Sequence, residues 1–349
     1  MLKIGIMGQP RSGKTTIYNA VAAAHADVDA YLAKDEIRRT VVKVPDPRLD
    51  RLFDLFLPPK KVHTEIEYVD FPALTGDATE VASLPPMLRE LDALMMVLRD
   101  FGDNPDPVAE AHALCEELIL ADLAVIERRL TRLQREVSSG RTENLVEHDA
   151  LVRCQKALES EKPVRELVFT PTEFKLMRGY GFLSGMPLLA VINAPDGGSS
   201  RSAEDWQSAL NLGPKSKVHV VRGKLEGELN DLSPEDRAAF MADLGLTISA
   251  LDGMIEASYS LLGLITFFTG GSEKDVHAWT VERGATAPQA AGVIHSDIER
   301  GFIRAEVTPV EDLLTLGSPA ATRKAGKTRL EGKEYIIADG DYLIFRFNV

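Results

Sequence analysis

An apolar, β-favouring run from Leu2 to Met7 is closed by Gly8, after which Ile17, Ala20, Val21 and Ala24 recur at helical spacing. The pattern predicts strand, glycine loop and helix. Further short apolar runs predict strands over 40–44, 65–70, 93–99, 188–193 and 218–222, with helical stretches between most of them. Such alternation builds a largely parallel sheet covered by helices, an α/β architecture.

Between about 105 and 163 the alternation stops. Ile119, Leu123, Ile126, Leu130, Leu133 and Val137 repeat at steps of 4, 3, 4, 3 and 4, which is a heptad seam. Ser138-Ser139-Gly140 breaks it, and a weaker stripe follows at Leu151, Cys154 and Leu158. A narrow seam with charged flanks predicts an antiparallel coiled-coil hairpin that protrudes; two ordinary amphipathic helices on the main core are the alternative. Thr170-Pro171-Thr172-Glu173 has capping-box spacing, and Ser233-Pro234-Glu235 starts another helix in the same way. From about Leu264 the texture becomes that of a small α+β domain: strands over 276–281, 303–307, 335–337 and 342–349, and a helix over 287–299. The expected division is 1–103 and 165–262 for a first domain, 104–164 for a helical insertion within it, and 263–349 for a second domain.

The 349 residues carry a formal net charge of −13, which argues against coating nucleic acid by bulk charge, and no DNA partner is expected. Cys115 and Cys154 are too few for a disulfide framework and have no zinc-ligand spacing, so both are read as core residues. The opening MLKIGIMG is too short for a signal peptide, and no apolar run reaches the ~18 residues of a spanning helix. A cytoplasmic protein with no membrane partner is expected.

The chemistry is concentrated at Gly8-Gln9-Pro10-Arg11-Ser12-Gly13-Lys14-Thr15, which satisfies G-x-x-x-x-G-K-[ST] in its strand–loop–helix setting. Backbone N–H groups of such a loop curve around phosphates, and the helix start adds favourable potential for an anion. Lys14 is expected to reach the β- and γ-phosphates, Thr15 to ligate Mg2+, and Thr16 to lie against the nucleotide. Asp70 ends the strand 65–70, where an acid can hold the same Mg2+ through water. Asn193-Ala194-Pro195-Asp196 closes another strand, at the place where GTPases carry Asn-Lys-x-Asp to hold guanine. Asn193, Ala194 and Asp196, with Gly223 and Lys224 beyond the strand 218–222, are expected to flank the base.

These pieces, in this order, resemble the YchF/Obg-like ATPase family of translation-associated P-loop NTPases. The most specific likeness is C-terminal: Ala278-Trp279-Thr280, the stretch from Gly284 to Gly292, that from Gly301 to Glu306, Glu331-Gly332-Lys333 and Phe345-Arg346-Phe347-Asn348-Val349. Pro45-Asp46-Pro47-Arg48-Leu49-Asp50 and Leu120-Ala121-Asp122-Leu123 match as well. The resemblance implies a P-loop G domain, an inserted antiparallel coiled coil and a C-terminal TGS domain of β-grasp fold. It also implies hydrolysis of ATP in preference to GTP, and association with ribosomes.

The departures bear on chemistry. Arg11 stands where the family has an asparagine that, in potassium-dependent relatives, shares a monovalent cation beside the phosphates. An arginine there is a built-in cation, so Arg11 joins Lys14 as a catalytic candidate; pairing with Asp35 or Glu36 is the alternative. Ala73 replaces the family's switch II glycine between Pro72 and Leu74, and Lys34 falls where the family's switch I threonine is counted. Asp196 stands where most relatives have glutamate. The reading is a divergent paralogue that binds ATP or GTP with Mg2+ and hydrolyses it slowly, ATP favoured. The alternative is an adaptor that holds nucleotide without turnover.

Partner surfaces are suggested by local charge. Residues 263–349 hold 10 basic and 12 acidic residues against 30 and 41 in the rest of the chain. Arg323, Lys324, Lys327, Arg329 and Lys333 form a basic run, and Arg128, Arg132 and Arg135 share one face of the hairpin. Either set could meet ribosomal RNA phosphates or form a plain solvated face.

Overall fold

The computed structural model of the chain describes residues 2–25, 37–71, 86–138, 144–243 and 248–348. The chain packs into two compact units, Met1–Val42 with Ile66–Ala257, and Lys43–Glu65 with Ser258–Val349.

In the first unit, strands β1 (Leu2–Met7), β2 (Arg38–Lys43), β4 (Glu65–Asp70), β5 (Ala93–Arg99), β6 (Leu188–Asn193) and β7 (Ser216–Val221) form one sheet in the order β2-β4-β1-β5-β6-β7. β1 runs parallel to β4 and β5, and β5, β6 and β7 follow in parallel. β6 is buried along its whole length and β5 up to Leu98, as apolar strands covered on both faces must be. Gly5 permits close approach: a Cβ there would lie 2.4 Å from the Leu91 side chain.

The helices of this unit are α1 (Lys14–His25), α3 (Pro107–Ser138), α4 (Leu145–Glu159), α5 (Pro171–Arg178), α6 (Ala203–Leu210), α7 (Gly223–Asn230) and α8 (Pro234–Asp243), and α9 (Ala250–Leu261) leads out of it. The heptad residues Ile119, Leu123, Ile126, Leu130 and Leu133 share a cluster with Leu151, Cys154 and Leu158, as the seam predicts. The Val137 side chain lies outside the described residues. The apolar cluster continues from the seam to Val164, Met177 and Phe182, which follow the two helices in the chain. Arg129 of α3 and Glu147 of α4 form an ion pair at 2.8 Å, and the Tyr180 hydroxyl donates to the same carboxylate.

Asp122, wholly buried on α3, accepts the N–H groups of Leu183 at 3.0 Å and Ser184 at 2.8 Å, and Arg89 at 3.2 Å. The Leu-Ala-Asp-Leu stretch noted in the sequence therefore anchors the short turn Leu183–Gly185 to the long helix.

In the second unit, β3 (Lys61–Val62), β8 (Leu264–Gly271), β9 (Lys274–Glu282), β10 (Phe302–Pro309), β11 (Arg329–Glu331) and β12 (Asp341–Phe347) form a mixed sheet in the order β11-β10-β12-β8-β9-β3. Helix α10 (Ala287–Ile294) supplies Ala287, Ala290 and Ala291 to a core with Phe267, Ala305 and Leu343. A second core joins Leu49 and Leu52 of α2 (Pro47–Phe56) and Leu313 of α12 (Val310–Leu316) to Phe268, Val276 and Tyr342.

This corrects the expected division. Residues 43–65 do not belong with the rest of 1–103: Asp46 caps α2, and its Leu49 and Leu52 are buried in the second unit. The second unit takes up the chain again at 258, and 104–164 lies within the first unit. Residues 335–337 form no strand, only an isolated bridge from Ile336 to Thr286. The helix expected over 287–299 breaks at His295, whose extended backbone lets its ring cap the following α11 (Ser296–Arg300). Strand β8 was not anticipated from the sequence.

Candidate nucleotide-binding site

The loop 8–13 leaves the end of β1 and turns into α1 at Lys14. Gly8 is required by crowding, since a Cβ there would lie 2.7 Å from the Ser12 hydroxyl and 2.8 Å from the Val97 carbonyl. Gly13 has φ +86, and a Cβ would fall 2.0 Å from Asn193 Nδ2. Only glycine meets both demands.

Lys14 is buried at 9% exposure, and its ammonium donates to the Asp70 carboxylate and to the Phe71 carbonyl. Asp70, at 3% exposure, stands opposite Ile6 where β4 and β1 end side by side. Its other carboxylate oxygen lies 3.9 Å from Arg38 Nε. The Arg38 guanidinium sits 5.9 Å from the centre of the Tyr18 ring, and burial together with the Asp70 charge pushes the Tyr18 phenol up to about 12. Lys14, Asp70, Arg38 and Tyr18 form one charged cluster at the mouth of the loop.

On the other side, Asn193 is buried and spans two loops. Its Nδ2 donates to the Ser12 carbonyl at 3.1 Å, and its Oδ1 accepts Gly223 N–H at 3.1 Å. The Ala194 side chain is buried, and its N–H donates to the Val221 carbonyl at 2.8 Å. Asp196 and Lys224 are exposed and pair at 2.8 Å. A cavity of about 250 Å3 opens beside them, lined among others by Gly198, His219, Arg222 and Gly253. His219 is held by the Ala250 carbonyl at 2.9 Å, and burial pushes its pKa down.

The structure thus brings Ser12, Gly13, Lys14, Asp70, Asn193 and Gly223 together and sets Asp196 and Lys224 at the rim. Arg11 is exposed with φ +68, and among the described residues it forms no ion pair. Gln9 is half-buried, while Pro10, Thr15 and Thr16 are exposed. Lys34, Asp35, Glu36, Pro72, Ala73 and Leu74 lie outside the described residues. Sequence reasoning missed Arg38 and Tyr18. Tyr18 sits one step beyond the apolar Ile17 in α1, and Arg38 begins a strand; neither carries a motif.

The Thr15 hydroxyl and the Asp70 carboxylate are hard oxygen donors, and a site offering one or two such groups beside phosphates suits Mg2+. The donor set fits. Among the described residues no cluster of three or more His, Cys, Asp or Glu forms an all-protein metal site.

Strand, glycine loop and helix at the end of an interior strand of a largely parallel sheet, with lysine and acid converging on the loop, define a P-loop NTPase. The YchF-GTPase_C family model, described as "Protein of unknown function (DUF933)", matches residues 264–348. "Ribosome-binding ATPase YchF" of Bacillus subtilis (strain 168) is 39% identical, the match covering 100% of both chains. "Obg-like ATPase 1" of Caenorhabditis elegans is 32% identical over 99% of this chain and 92% of its own. Among solved structures, the Schizosaccharomyces pombe YchF GTPase superposes with a TM-score of 0.82 at 25% identity, covering 99% of this chain and 97% of that one. The chain belongs to the YchF/Obg-like family. No described helix is long and apolar enough to cross a membrane.

Proposed function

We infer that this chain binds ATP in preference to GTP, hydrolyses it slowly with Mg2+, and uses its nucleotide state to regulate binding to the ribosome. The observation that carries the reading is the Asn193 bridge, which ties the phosphate loop to Gly223 on the base side of the site. Lys14 would supply charge to the phosphates, and Thr15 and Asp70 would hold the Mg2+ that supports hydrolysis. The lysine that lies along guanine in GTPases is Ala194 here, and the Asp196 carboxylate that would accept from guanine is engaged by Lys224. Both features weaken selection for guanine.

The ribosome reading rests on the names of the relatives and on the hairpin. Arg128 and Arg132 are exposed on α3. The basic run of the second unit is largely paired internally: Arg323 with Glu306 at 2.8 Å, Lys327 with Asp312 at 3.3 Å and Arg329 with Glu331 at 3.5 Å. The hairpin face is the stronger candidate for RNA phosphates.

Calorimetric titration with ATP and GTP in parallel, followed by turnover with Mg2+, tests the enzyme. A tenfold preference for GTP would overturn the base assignment, and tight binding with no turnover would leave an adaptor. Co-sedimentation with ribosomes in ATP and in ADP tests the partner. Replacing Arg128 and Arg132 by glutamate should weaken it in both states.

A further inference from the structure

Asp70 is the most buried charge of the site, and only one of its carboxylate oxygens is taken by Lys14. If Lys14 turns to a bound triphosphate, this carboxylate is left with like-charged phosphate oxygens for neighbours. A buried carboxylate without a counter-charge is strongly destabilising. Arg38, the first residue of β2, stands 3.9 Å from the second Asp70 oxygen, and the Arg38 side chain is 41% exposed. The Tyr18 ring beneath holds the guanidinium over the site. Arg39, its neighbour in sequence, faces elsewhere and meets Glu67 at 3.7 Å. The side chain directed at the site is Arg38.

We propose that Arg38 is a positioning residue that takes over the charge of Asp70 when Lys14 engages a nucleotide, so that ATP binds with little dependence on Mg2+. The inference rests on the nucleotide reading above. A guanidinium is permanently charged and can hold a carboxylate with two N–H groups, leaving Asp70 oriented with or without metal. Without Arg38, Mg2+ is the remaining cation able to separate Asp70 from the phosphates.

The test is ATP affinity of the full chain, measured by calorimetry in EDTA and in saturating Mg2+. The wild type should bind ATP in both, within about threefold. Arg38→Gln should lose about tenfold in EDTA and less than about threefold in Mg2+. Arg38→Lys, which keeps the charge, should recover most of the EDTA affinity. Thermal melting confirms that each variant is folded. Equal loss in both conditions would mean a merely structural role and overturn the proposal. So would unchanged binding of Arg38→Gln in EDTA. If Arg38→Gln does not fold, Arg38→Lys with an unchanged Mg2+ ratio supports the proposal and Arg38→Lys with a strong new Mg2+ requirement overturns it. Wild type that binds no ATP in Mg2+ overturns the nucleotide reading itself. Wild type that binds ATP in Mg2+ but not in EDTA overturns this inference alone.

Discussion

Asn193 Nδ2 and the Ser12 carbonyl, 181 residues apart in the chain, meet at 3.1 Å. The same carboxamide receives the Gly223 N–H, so one side chain sets the spacing between the glycine loop and the loop that starts the helix at Gly223.

Asn193→Ala should therefore strip partners from two buried backbone groups at once. The expected loss of stability is about 1–3 kcal/mol, with nucleotide affinity falling further because the two loops are no longer held in register. Asn193→Asp keeps the acceptor for Gly223 but loses the donor to Ser12, and should fall between. Urea unfolding and calorimetry read the two effects separately. An alanine variant with native stability and affinity would show that the bridge is incidental.

Lys14→Ala should abolish triphosphate binding. It should also destabilise the free protein, which the sequence did not predict. The ammonium sits buried against Asp70 and the Phe71 carbonyl, and its loss leaves that carboxylate to Arg38 alone. Because Arg38 still faces the carboxylate, the penalty read by denaturant titration without nucleotide should stay below the roughly 3–5 kcal/mol of a wholly uncompensated buried charge. Binding within a few-fold of wild type would refute the P-loop assignment.

Arg11 carries a structural cost and a catalytic proposal. At φ +68 a side chain crowds the backbone, at about 1 kcal/mol for most residues, and asparagine tolerates the position best after glycine. Arg11→Asn should raise the unfolding midpoint. If the guanidinium stands in for a monovalent cation, the same variant should turn over more slowly in Na+ and regain part of the rate in K+. Wild-type turnover should be indifferent to the exchange of K+ for Na+. Strong K+ stimulation of the wild type would eliminate the catalytic proposal and leave the stability effect standing.

Glu147 predicts a pH dependence. Arg129 holds its carboxyl below the ordinary glutamate value, and Tyr180 adds to this. A depressed folded-state pKa stabilises above the unfolded value and is lost as pH falls through the folded one. The stability gap between wild type and Glu147→Gln should be full at pH 7 and should close as the solution is acidified below about 4.5. A gap that persists unchanged at pH 3 would mean that the ion pair contributes nothing.

The elements most legible in the sequence were those whose pattern is local. The glycines and the lysine of the phosphate loop are read from residues within eight positions of one another, although the crowding that demands glycine comes partly from Val97 and Asn193, and β4, β5 and β6 end where the sequence places their ends. Arg11 shows the limit: its type is visible, but the left-handed backbone beneath it is not. Leu49 and Leu52 share the buried face of α2, and nothing local in the sequence says which core that face enters. Asp122 reads as one polar residue in a helix, and its burial depends on two amides some sixty positions away. Arg38 was missed because its role arises only when β2 is laid beside β4.

The second unit is interrupted in the chain: residues 43–65 are made before the whole stretch 66–257, and 258–349 after it. During synthesis, α2 emerges with Leu49 and Leu52 exposed and waits for Phe268, Val276 and Tyr342 to leave the ribosome. Closing so long a loop costs entropy, and the unit cannot be completed until the last strand is released. A fragment beginning at 258 lacks α2 and the β3 edge, and should remain incompletely folded by circular dichroism. Adding a peptide of residues 43–65 should restore its melting transition. The second unit is thus an assembly of two pieces of chain, and truncations designed on sequence order would cut one of them away.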